Sequence, residues 1–100
     1  MSRLDQAALE QYAIDQMGAA RDDSTGADFT FEKGSLIVVA EPDGMKKAFK
    51  RIKKVPGYRW VLINKEDLFA ANTLSLGSKA GLLAQDGSVL KNADVPRKKV

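Results

Sequence analysis

The sequence predicts a small single α+β domain, with a mixed sheet of about four to five strands, an N-terminal helix and a C-terminal β-hairpin. Three observations carry this. Leu36-Ile37-Val38-Val39-Ala40 is an apolar run of strand length, rich in β-branched residues. Tyr58 to Ile63 (Tyr-Arg-Trp-Val-Leu-Ile) is a second such run. Between them Met45, Ala48, Phe49 and Ile52 fall at i, i+3, i+4 and i+7, which is one face of a helix. Strand, helix and strand over 35–63 make a β-α-β unit. Its short connections predict a right-handed parallel crossover with the apolar helix stripe on the sheet and the lysines in water.

The other elements follow in order. Residues 2–20 read as a helix, with Ser2 and Asp5 placed as a capping box that has Asp in the acidic position. Leu4, Ala8, Leu9, Tyr12 and Ala13 form its stripe, widened by Ile14 and Met17. Gly18 and the polar stretch Arg21 to Gly26 end it. Phe29-Thr30-Phe31 alternates as a strand does. Glu32-Lys33-Gly34 reads as a turn with glycine in the left-handed conformation, which makes a hairpin with Ser35 to Ala40. Pro42 breaks that strand, Asp43 caps the helix over 44–55, Val55 extends its stripe, and Pro56-Gly57 stops it. Asn64, with Asp67 three residues on, caps a short third helix through Asn72, while Leu74 to Ala80 fit neither period. Leu82 to Ala84 and Ser88 to Lys91 flank Asp86-Gly87, the pair favoured in a type I′ hairpin turn. One domain is expected over 1–95, with 96–100 as a basic flexible tail.

Composition bounds the function. Apolar residues make up 44% and charged residues 29%, the balance of a folded domain rather than a disordered one. No apolar run approaches the length of a membrane span, and the first residues have no apolar signal core, so a cytoplasmic protein without a membrane partner is expected. The chain has no cysteine and no histidine. The first absence removes disulfides, thiolate chemistry and cysteine-ligated zinc. The second removes the commonest general base and transition-metal ligand. No catalytic residue, metal site or cofactor is therefore predicted. An enzyme here would have to work with Asp, Glu, Lys, Ser or Tyr alone.

The net charge of +3 conceals a sharp division. Residues 1–43 carry nine acids against three bases, while residues 44–65 carry eight bases and no acid. If the acidic first helix packs beside the basic one, much of the field cancels; on opposite sides, one face is strongly positive. Lys46, Lys47, Lys50, Arg51, Lys53 and Lys54 cover the helix face opposite Met45, Phe49 and Ile52, and Arg59 adds to them. The plain reading is a solvated face. The functional reading is an anion-binding surface, because lysine and arginine on a helix neutralise phosphates and release counterions. The helix has no exposed aromatic, Asn or Gln to read bases, so backbone contact is expected rather than sequence readout.

Three further patterns carry less weight. Tyr58, Trp60, Phe29 and Phe31 could stack on unpaired bases, but a domain this small needs its aromatics in the core. Gly77-Ser78-Lys79-Ala80-Gly81 lacks the spacing of a phosphate loop. The acidic stretch Asp22 to Asp28 fails the spacing of a calcium hand. The expectation is a small non-enzymatic binding protein that sets helix 45–55 against an acidic partner, with nucleic acid preferred. The alternative is a protein–protein module such as an inhibitor, adaptor or assembly factor, a kind common in phage and mobile elements. Oligomeric state is not legible.

Overall fold

The computed structural model describes residues 3–22 and 26–94. Among these the chain forms three α-helices, α1 (Gln6–Met17), α2 (Met45–Ile52) and α3 (Leu68–Ser78), and six strands, β1 (Ala20–Arg21), β2 (Phe29–Phe31), β3 (Gly34–Val38), β4 (Arg59–Ile63), β5 (Gly81–Ala84) and β6 (Val89–Lys91). Short 3-10 turns at Pro42–Gly44 and Lys65–Asp67 lead into α2 and α3. The strands lie side by side in chain order, β1-β2-β3-β4-β5-β6. The central trio β3, β4 and β5 is parallel and the outer pairs are antiparallel.

The expected β-α-β unit is present, and a second one (β4-α3-β5) follows it, which makes β5 parallel to β4. The sheet thus has six strands rather than four or five. The strand that sequence reading lacked is β1, two exposed residues with no apolar signal.

Alternation explains the layers. Along β3 and the residue after it, and along β4, Ile37, Val39, Val61 and Ile63 face one way and pack with Met45, Ala48, Phe49 and Ile52 of α2 and Ala71 of α3. Leu36, Val38, Trp60 and Leu62 face the other way and pack with Leu9 and Ala13 of α1. A sheet covered on both sides needs strands that are apolar at every position, which is why these runs are continuous rather than alternating. Sequential parallel crossovers of one hand put α2 and α3 on the same face. The helices are therefore divided two against one.

Local details correct several expectations. Asp5, not Ser2, caps α1: its Oδ1 accepts from the Ala8 N–H at 2.8 Å. Ser2 and the expected tail 96–100 lie outside the described residues. Gly34 has φ +131, beyond the left-handed helical value, and a Cβ there would collide with the Tyr58 carbonyl oxygen where β3 begins its pairing with β4. The β5–β6 connection is a four-residue loop in which only Gly87 has positive φ, so it is not a type I′ turn, which needs two such residues. Instead the Gly87 N–H donates to Ala84 O, Asp86 Oδ1 accepts from the Ser88 N–H, and a bulge between Leu82 and Leu83 absorbs the extra residue. Finally, α3 runs on through Ser78, over residues whose period is unreadable.

Candidate polyanion-binding face

In sheets with a parallel core, ligands commonly sit beyond the carboxyl ends of the strands. Here the chain's own residues 3–6 fill that position. Asn64, fully buried at the end of β4, accepts from the Leu4 N–H and donates to the carbonyls of Leu4 and Ala40. Arg3 forms a two-pronged pair with the buried Asp67, at 2.7 and 3.0 Å, and also reaches Ala40 O. The bond to Asp67 raises the Arg3 guanidinium above its ordinary pKa. Gln6 closes the edge of β3, donating to Val38 O and accepting from the Ala40 N–H. Every buried side-chain nitrogen or oxygen among the described residues has a partner.

The α1 side offers a shallow groove of about 230 Å³, between α1, the β2–β3 turn and the β5–β6 turn, with Tyr12, Met17, Phe31 and Leu83 along it. It is smaller than the usual ligand pocket. The Tyr12 phenol is pushed above its ordinary pKa by burial and by Asp86. Asp86 is itself held low by hydrogen bonds from Ser88, with Lys65 nearby. Among the described residues no group of three acids stands together to hold a metal ion, and no helix is long and apolar enough to cross a membrane. Residues 77–81 run from helix to strand, the reverse of a phosphate loop, at the negative end of the α3 dipole.

The basic residues lie on the opposite side of the sheet from α1. Lys46, Lys47, Lys50, Arg51, Lys53 and Lys54 are exposed and Arg59 is half-buried. They divide by what they touch. Arg51 pairs with Asp28 at 2.9 Å and donates to Gly26 O, while the other Asp28 oxygen accepts from the Val38 N–H, so this arginine ties α2 to the β2–β3 hairpin. Arg59 donates to the carbonyls of Lys53 and Ile52 and closes the C-terminal end of α2. Lys53 reaches across towards α3, its ammonium 3.9 Å from where a Cβ at Gly77 would stand. The side chains of Lys46, Lys47, Lys50 and Lys54 make no hydrogen bond or ion pair among the described residues. At about 100° per residue, Arg51 and Lys53 fall on opposite flanks of α2, and Lys47 and Lys50 point between them, away from the sheet.

Of the four aromatics expected in the core, Phe29 and Trp60 are buried, Phe31 is partly covered and Tyr58 is not in the core. Phe29 is fully buried, Trp60 is 6% exposed, and Phe31 packs edge-on against Trp60 at 6.4 Å. Tyr58 is 47% exposed. Sequence reading found the first part of α3 and missed its continuation from Thr73 to Ser78. This helix buries only small residues, Ala71, Ser75 and Ser78, and turns Phe69 (95% exposed) and Leu76 (64%) to solvent. Small residues on the inner face let α3 sit close to the sheet and to α2. With apolar residues on both faces the helical period vanishes, so no pattern in the sequence could have flagged Phe69. The two helices, each the crossover of a parallel unit, pack against each other on the same face of the sheet, with lysines exposed on α2 and a ring exposed on α3. No family model, curated protein or solved structure matches this chain.

Proposed function

We propose that this domain is a non-enzymatic binding module that sets the lysine face of α2 against an acidic partner, and that nucleic acid is the partner. One observation carries the reading: four exposed lysines, Lys46, Lys47, Lys50 and Lys54, take no part in holding the fold together, and the acidic helix that could neutralise them lies across the sheet. Lysine is depleted in the cores of protein interfaces but effective as a phosphate ligand. Contacts of this kind grip the backbone and carry no sequence information. A cysteine-free, histidine-free chain suits such a role in the cytoplasm.

The test is binding of purified protein to a short labelled DNA duplex across a salt series. With three or four phosphates engaged, log affinity should fall against log salt with a slope of about −3. The triple variant Lys47→Glu, Lys50→Glu, Lys54→Glu should lose that binding and keep its melting temperature, because none of the three side chains touches the core. Arg51 is left intact on account of its pair with Asp28. Absence of binding at low salt would end the nucleic-acid reading. The acidic-protein alternative would then stand on the same lysines and on the exposed Phe69 and Leu76.

A further inference from the structure

We infer that the nucleic acid taken by this face is single-stranded, with the Phe69 ring stacking on a base while the lysines of α2 hold the phosphates. The inference rests on the reading of α2 as a phosphate-binding surface and adds to it the form of the polymer. Phe69 is 95% exposed, an unusual position for a phenylalanine in so small a domain, and it stands at the start of a helix that packs alongside α2. No fold-stabilising role accounts for it: the residues that dock α3 are Ala71, Ser75 and Ser78, with Leu68 and Leu74 partly covered. A basic surface beside an exposed aromatic ring is the arrangement that binds single strands without sequence preference, because every unpaired base offers a π-face. A duplex keeps its bases stacked inside and gives the ring nothing.

The surroundings favour a strand of nucleic acid over a protein. Phe69 and Leu76 lie seven residues apart, about 10 Å along the helix, with the exposed Asn72 and Thr73 between them. The apolar surface is thus broken into islands rather than forming the continuous core of a protein interface. The exposed charge on the neighbouring helix α2 comes mainly from lysines, which protein interfaces disfavour.

The test compares oligo-dT with a duplex of the same length, by fluorescence anisotropy at one low salt concentration, for the wild-type protein, Phe69→Ala and Phe69→Tyr. The wild type should prefer the single strand by about tenfold, the size of one base-stacking contact. Phe69→Ala should lose that preference and keep its duplex affinity and melting temperature, and Phe69→Tyr should restore the preference. Equal affinity of the wild-type protein for both polymers, or a preference that survives Phe69→Ala, overturns the stacking assignment and leaves phosphate binding standing. No binding to either polymer overturns both, and points to an acidic protein as the partner.

Discussion

The two sides of the sheet use their charges differently. On the α1 side charged groups are consumed by the fold. Asp5 caps α1, Glu10 takes Gln6 and Arg21, and Asp15 takes Gln11. Arg3 is locked onto Asp67. On the α2 side two arginines do comparable work, Arg51 on Asp28 and Arg59 on the helix end, while four lysines do none. Exposed charge is ordinary, so its presence alone says little. What separates the faces is that one has its charges tied into hydrogen bonds and the other keeps a row of one sign unpaired. That difference is what supports the proposal of a binding surface on the basic helix.

The comparison can be broken most severely at Asn64. If the α1 side is held by its polar contacts, replacing this buried side chain by one of similar size without hydrogen bonds should be costly. Asn64→Leu strands the Leu4 N–H and the Leu4 carbonyl and leaves Ala40 O with Arg3 as its remaining side-chain donor. An unsatisfied buried group costs about 1–3 kcal/mol. We expect a loss of roughly 3 kcal/mol and a fall in melting temperature of roughly 10 °C or more for a chain of this length. Thermal unfolding followed by circular dichroism measures it. A shift of only a degree or two would mean that residues 3–6 contribute nothing to stability, and the contrast between the faces would lose one of its sides.

The core of the domain was legible in the sequence and the surface was not. Phe49 and Ile52 fall on a clean helical stripe, and both are buried against the sheet. The runs over 36–40 and 60–63 are apolar at every position because both faces are covered, and that signal is strong. The segment that became α3 failed for the opposite reason. Its buried positions are Ala and Ser and its exposed ones include Phe and Leu, so periodicity is inverted and a period-based reading ends the helix near Asn72. The basic patch was readable as composition, but its division into tied and untied residues was not. Nothing in Arg51 or Lys50 announces that one meets Asp28, which lies 23 residues earlier in the chain, and that the other meets nothing.

That division within α2 supplies the next test. Arg51→Ala and Lys50→Ala remove neighbouring positive charges from the same helix. The Arg51–Asp28 pair is partly exposed, at 43% and 26%, and such pairs contribute about 0.2–1 kcal/mol. Arg51→Ala should therefore destabilise by roughly half a kcal/mol, and less at high salt. Lys50→Ala should leave stability unchanged and weaken duplex binding instead. Chemical denaturation resolves the first effect and the salt series the second. If the two variants behave alike in both assays, the split between structural and binding bases is wrong.

The smallest expected effect concerns a lysine of a third kind. Lys79 closes α3 in the left-handed conformation, φ 61, where its N–H donates to Ser75 O at 2.9 Å. Glycine is the residue that takes this position without a steric penalty from Cβ. Both backbone contacts, the second being Lys79 O accepting from the Asp94 N–H, survive a change of side chain. Lys79→Gly should therefore stabilise the fold by about 0.5–1 kcal/mol, after the greater freedom of glycine in the unfolded chain takes its share. Lys79 stands at the far end of α3 from Phe69, so duplex affinity should not change. A variant that is no more stable would show that the half-buried lysine stem packs usefully against its neighbours. A variant that is more stable but binds less tightly would carry the phosphate-binding surface past α2 to the end of α3, and the boundary drawn here between its two helices would have to move.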